Sequence, residues 1–559
     1  MKKCVFLLSA VLAVVAGLFS SVRADEPIVV AAARNVNSLF EAGEILSEKI
    51  DQPYIKVGIA AMKAGLSDEG PFGGFDLNRP FGLIIDKNNG SGALLPIKDW
   101  ALVQQRLTDQ GDELQDLGDG KFKFIKDDNS LFIIKRDNWL VVSPDADTMM
   151  KSVPENAIKI AGKLLENNLA AVYFNTKAFS QDEINQALDC FFGKIQFNED
   201  RFKKCPMAKT LTILAENLKK NALWALKKVT QDGCSISCAW RLDKEKGIIS
   251  ELCLRVKPDT DCARFFNGAA GIKTDLSGFY DADAAFSGAL AGNYKLLTSD
   301  QRNAVIESHQ NKIFSKLDRK IQDETVRSEI KETVSQFLTL LNQTLSDGNK
   351  NCAASLYASP EKGVTFVGAR FSSDGYKLES LLFNAVENGC KNGCKKMSVF
   401  NQGIEKNVAE INGVRIHTVS FKLPEKAKNY ETWKKLLQGD TIVAAIGFGS
   451  KMVCLGVGTD GLNQLKAAIT RCESGKSAPI FQSQVRYGDI ARTVEAYYPF
   501  KEKQAEMFNQ FKKSAGEAYN TPCREKTSVF GIENGVKIQN EISFEAIKIR
   551  LPRRVCEKE

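Results

Sequence analysis

Apolar residues along this 559-residue chain follow two spacings, and the switches between them mark out its elements. Alternating runs broken by Asn-Gly or Asp-Gly predict β-hairpins, because those dipeptides supply the positive φ of tight turns. Asn88-Asn89-Gly90-Ser91-Gly92 joins GLII to ALLPI in this way. Asp374-Gly375 joins VTFVGARF to YKLESLLF, and Asn534-Gly535 joins SVFGI to VKIQNEISF. Runs with the helical period predict short helices at about 36–50, 206–228 and 501–517. A longer stripe runs through Ile306, Ile313, Leu317, Ile321, Val326, Ile330, Val334, Phe337, Leu341 and Leu345. Thr298-Ser299-Asp300 can cap it and Asp347-Gly348 can end it, which predicts one helix over 300–346. Packing on the protein's own sheet is its expected role, with a dimer seam as the alternative.

The order of elements repeats. SLFIIKRDNWLVVSPDADTMMKSV reads as strand, turn, strand and a helix capped near Asp145. TIVAAIGFGSKMVCLGVGTDGLNQLKAAI has the same order, with Asp460 in the capping place. Strand-to-helix units flank both copies: EPIVVAAARNVNSLF and LAAVYFNTKAFSQDEI in the first half, FSGALAGNYKLLTSD and APIFQSQVRYGDIARTV in the second. Each half closes on a helix and a hairpin, at 206–258 and 501–551. The expectation is an α+β fold of two tandem, duplicated domains, 25–270 and 275–559, each a mainly antiparallel sheet packed with helices.

The first 24 residues read as an export signal: Lys2 and Lys3, an apolar run from Val5 to Phe19, and Val22-Arg23-Ala24 before Asp25. That run is shorter than the ~20 residues that span a bilayer. Cleavage after Ala24 is therefore expected, leaving a periplasmic or extracellular chain with no transmembrane helix. Removing Lys2, Lys3 and Arg23 lowers the net charge from +8 to +5, spread evenly. With no basic stripe or block, nucleic acid is not an expected partner.

Export permits disulfides, and thirteen of the fourteen cysteines lie beyond Ala24. An odd number leaves at least one unpaired within the chain. The best candidate pair is Cys238 with Cys253, in a hairpin that turns at Asp243 to Gly247. Cys390 with Cys394 falls in a Gly/Asn-rich segment, and Cys190 with Cys205 flanks a charged connector.

The signal, the strand–helix opening, DLNRPFGLII (Asp76 to Ile85) and NWLVVSPDADTM resemble large secreted proteins of planctomycete-type bacteria, mainly over residues 25–185. Asp76, Arg79, Pro80, Phe81 and Gly82 carry the clearest match. The resemblance implies an exported α+β repeat protein and supplies no catalytic residue. Physically, DLNRPFG reads as a turn entering a strand, with Pro80 fixing φ and Phe81 packing below it.

Catalytic chemistry is thinly represented. There are only two histidines, His309 and His417, and neither has a local partner from which to build a triad or a multi-histidine metal site. Cys234-x3-Cys238 and Cys390-x3-Cys394 have loose zinc spacing, but the first lies on a strand and the second suits a disulfide better. Glu473-Ser474-Gly475-Lys476-Ser477 ends like a phosphate loop, yet Thr470 stands where the first glycine is needed. Asp145-Ala146-Asp147 and Asp281-Ala282-Asp283 are short of a calcium loop. No cofactor, metal or catalytic residue is therefore assigned. The sequence favours a non-catalytic binding or structural component of the periplasm or envelope, taking a protein or small ligand. A carboxylate-dependent hydrolase and an assembly protein using the 300–346 helix are the alternatives.

Overall fold

A computed structural model describes residues 29–550, apart from 71–72, 86–90, 110–112, 127–128, 145–161, 179–181, 183–230, 293–298, 392–401, 427–428 and 522. Antiparallel strands and helices are both abundant, as an α+β fold requires. The chain divides into two compact units. Unit 1 holds residues 1–267 and 532–539; unit 2 holds 268–531 and 540–559. Residues 532–539, which the sequence groups with the C-terminal half, thus belong to unit 1.

Unit 1 is built on strands β1 (Val29–Ala33), β2 (Phe81–Ile85), β3 (Ser91–Pro96), β4 (Glu113–Gly118), β5 (Lys121–Lys126), β6 (Asn129–Arg136), β7 (Trp139–Ser143), β8 (Ala170–Asn175), β9 (Gly233–Asp243) and β10 (Gly247–Val256). They pair antiparallel in the order β4-β5-β6-β7-β3-β2-β1-β8-β9-β10. Alternation along each strand sends Val30, Ile84, Leu94, Val141 and Ala171 to one core. Its other face, at Leu140, Ile133 and Phe122, is covered by Val103 of helix α3 (Trp100–Thr108). Two more helices, α1 (Val36–Lys49) and α2 (Pro53–Gly65), follow β1. The Asn35 side chain accepts a hydrogen bond from the Ser38 N–H at 2.6 Å, which starts α1 where the sequence places it. Helix α4 (Asp261–Ala269) packs Cys262, Ala263 and Phe266 on Val256.

In unit 2, β11 (Lys273–Thr274) pairs with β19 (Lys476–Ser477) apart from the main sheet. That sheet comprises β12 (Phe286–Leu290), β13 (Cys352–Ser359), β14 (Gly363–Phe371), β15 (Ile404–Ile411), β16 (Val414–Lys422), β17 (Thr441–Gly449), β18 (Met452–Gly458), β20 (Phe481–Arg486) and β21 (Arg524–Ile532). Its order is β15-β16-β17-β18-β14-β13-β12-β20-β21, again antiparallel throughout. After β21 the Asn534 turn, at φ 50°, leads into β22 (Gly535–Ile542).

The helices of unit 2 are α5 (Ser299–Lys320), α6 (Glu324–Ser346), α7 (Gly375–Lys391), α8 (Tyr430–Leu436), α9 (Gly461–Thr470), α10 (Tyr487–Tyr497), α11 (Glu502–Ala515) and α12 (Phe544–Arg550). Leu465, Ala468 and Ile469 of α9 pack on Ile416, Val367 and Cys454 to form the main core. A Cβ on Gly456 would sit 2.2 Å from the Gly461 carbonyl oxygen, so glycine is what lets α9 start this close to β18.

Three expectations are corrected here. The predicted 300–346 helix is two helices, because the Asp323 carboxylate accepts the Thr325 and Val326 N–H groups and starts a new one. Of its apolar positions, Phe337 is exposed while Leu338 and Leu340 are buried. Asp374-Gly375 is a helix start, since the Lys377 N–H donates to Asp374 Oδ1 and YKLESLLF is the body of α7. At α9, the Asp460 carboxylate accepts from the side chains of Asn463 and Gln464, not from a backbone N–H. The predicted helix at 206–228 lies outside the described residues.

Candidate functional site

An apolar pocket lies among the described residues of unit 1. Val36, Leu39, Phe40 and Gly43 recur at helical spacing on α1, and Ile55, Ile59, Met62 and Leu66 do so along α2 and just past its end. Both sets face Phe81 of β2 and Leu95 of β3, yet the side chains do not fill the space between them. A cavity of about 540 Å³ remains. Asp76 also lines it. That residue is fixed by its own N–H, which donates to the Pro96 carbonyl at 2.9 Å, and by its Oδ1, which accepts the Asn78 N–H at 3.0 Å. DLNRPFG is thus the turn the sequence predicts, and it also supplies Asp76, Leu77 and Phe81 to the cavity. Arg79 turns elsewhere, stacking on Trp139 with its guanidinium carbon 4.6 Å from the ring centre.

Unit 2 contains a buried polar cluster. His417 of β16 is 2% exposed, wedged between Phe383 of α7 and Phe448 of β17. Its Nε2 lies 3.1 Å from Glu379 Oε1, and its Nδ1 accepts the Asn407 N–H at 3.1 Å. The other oxygen of Glu379 is 2.6 Å from Arg415, which stacks on Tyr376. Burial holds the imidazole below its ordinary pKa, against the pull of the Glu379 carboxylate. No partner of His417 lies near it in the sequence; Glu379 stands 38 residues earlier, on a helix that folds over the strand. His417 and Glu379 are buried between helix and sheet, while Arg415 reaches the surface. His309 is exposed on α5.

The cysteine expectations fare differently. Asp243 pairs with Gly247, so Cys238 stands opposite Leu252 and Cys253 opposite Ser237. The two thiols leave opposite faces of the hairpin, and both are unpaired. Cys390 is also unpaired and lies in the last turn of α7, not in a loop. Cys394, Cys190 and Cys205 lie outside the described residues. Burial pushes the thiols of Cys238, Cys253, Cys472 and Cys523 up, and that of Cys454 to about 12. None of these is tuned as a nucleophile.

The acidic and glycine motifs are taken up by the fold. Asp281 Oδ2 accepts the Tyr357 hydroxyl at 2.7 Å and lies 3.0 Å from Arg471. Gly475 donates its N–H to Asp275 at 2.7 Å, so a carboxylate occupies the place a phosphate would need. Asp145 and Asp147 lie outside the described residues. Among the described residues, no three His, Cys, Asp or Glu side chains group as metal ligands do, and no helix is long and apolar enough to cross a membrane. No family model, curated protein or solved structure matches the chain.

Proposed function

We propose that this chain is an exported, non-catalytic binding protein whose unit 1 takes an elongated apolar ligand between α1, α2 and the sheet. The cavity itself carries this reading. At about 540 Å³ it falls within the ~300–1,000 Å³ of sites that enclose a small molecule. Its walls offer such a ligand apolar contact nearly throughout, and Asp76 is the one charged residue among them. The basic start, apolar run and small-residue site of the first 24 residues support export.

We also read the chain as a tandem duplication. The four-strand run β4-β5-β6-β7 followed by β3-β2-β1-β8-β9 has the same order as β15-β16-β17-β18 followed by β14-β13-β12-β20-β21. The registers agree as well. Phe122 pairs through Ile133 to Val142, and His417 pairs through Ile446 to Leu455, each central residue lying three before the end of its strand. Trp100 of α3 sits on Phe122, and Phe383 of α7 sits on His417.

A thermal-shift series on residues 25–559 tests the binding reading. Long-chain alcohols and amines should raise the melting temperature in proportion to the logarithm of their concentration, and short-chain analogues should not. Equal response to both, or to neither, would refute it.

A further inference from the structure

A second apolar site, with a charged end, lies in unit 2. Gly288, Ala354 and Gly368 stand side by side on β12, β13 and β14 and form a flat floor. The ring of Phe366 leans over Gly368: a Cβ there would lie 3.0 Å from the ring. Two residues along, on the same face, runs the parallel row Leu290, Cys352, Arg370 and Val453, with Phe481 beside Leu290. Together they bound a trough of about 420 Å³.

One end of this trough is cationic. Arg370 lines it and is exposed. Lys350 lies close enough to Arg370 and Arg302 that their charges, after burial, help push its ammonium below the ordinary pKa. Among the described residues, no carboxylate forms an ion pair with Arg370 or Lys350. Like charges gathered beside apolar surface cost stability, and an anion placed among them would offset that cost. An apolar floor ending at Arg370 and Lys350 is complementary to a chain with an anionic head.

We propose that unit 2 binds a single-chain anionic amphiphile, its alkyl chain across Gly288, Ala354 and Gly368 and its carboxylate or phosphate against Arg370 and Lys350. This differs from the unit 1 reading in residues and in ligand charge, so either can fail alone.

The test uses residues 25–559 carrying Leu95→Trp, which fills the unit 1 cavity. Calorimetric titrations with palmitate, dodecyl phosphate and uncharged dodecanol are compared. A Cβ on Gly288 would meet only ordinary contacts, so Gly288→Leu blocks the floor with little strain. Palmitate or dodecyl phosphate should bind one per chain, and Gly288→Leu should abolish binding. Arg370→Gln with Lys350→Gln should weaken it at least about tenfold, as expected for a charge-assisted contact. Preference between the two anions identifies the head group. Dodecanol binding as well as the anions, or anion binding unchanged in both variants whose circular dichroism is native, would overturn the proposal.

Discussion

Replacing Glu379 and His417 singly and together tests whether the buried cluster of unit 2 is needed by the fold. Glu379→Leu removes a nearly buried carboxylate from between His417 and Arg415. The imidazole it leaves is neutral, because burial holds its pKa down. Arg415 is left unpaired but is 39% exposed, so water can solvate it. The cost should be roughly 1–3 kcal/mol, below the ~3–5 kcal/mol of a fully buried charge stripped of its partner. His417→Phe leaves Glu379 with Arg415 as its one cation and removes the acceptor of the Asn407 N–H, again at roughly 1–3 kcal/mol. The double variant keeps no buried carboxylate, and its ring fits between Phe383 and Phe448 as Phe122 fits under Trp100. It should lie within about 1 kcal/mol of the parent, or above it. Hydrogen exchange on peptides covering 414–422 and 441–449 reads this locally. Losses in the double variant equal to the sum of the singles would mean that the pair is not coupled and that the cluster is needed as such.

Other consequences are more local. His417 is held below its ordinary value of 6.5 in the folded chain, so below about pH 6.5 the unfolded state takes up a proton that the folded state does not. Stability should therefore fall as pH drops from 6.5 toward the folded pKa, and His417→Phe should flatten that part of a urea-midpoint profile. Asp323→Ala should cost about 1 kcal/mol by removing the cap of α6, seen as faster exchange in its first turn. Leu465→Ala empties the centre of the unit 2 core, where the side chain is fully buried, and should cost ~2–5 kcal/mol in urea titration.

Local signals made much of the fold legible before the structure. Asn534-Gly535 turns as predicted, and α1 begins at the cap its sequence supplies. Where two local signals compete, the reading failed. Asp-Gly marks a tight turn but also a helix start, and only the i, i+4 spacing after Gly375 separates them. A continuous apolar stripe hid the break at Asp323, since the two helices share a similar apolar period. The Cys238–Cys253 pairing failed by a single residue of register, which moves a side chain to the opposite face. The candidate sites were less legible for a different reason. His417 and Glu379 meet only through the packing of a helix on a sheet. The apolar pattern of α1 and α2 would look the same over a filled core as over a cavity.

An uncharged fluorophore tests the proposal that unit 1 takes an apolar ligand. N-phenyl-1-naphthylamine, titrated into residues 25–559, should brighten to saturation at one equivalent. Leu95→Trp should abolish that signal, and Gly288→Leu should preserve it. A linear, unsaturable rise, or full binding to the folded Leu95→Trp variant, would mean that the cavity takes no such ligand.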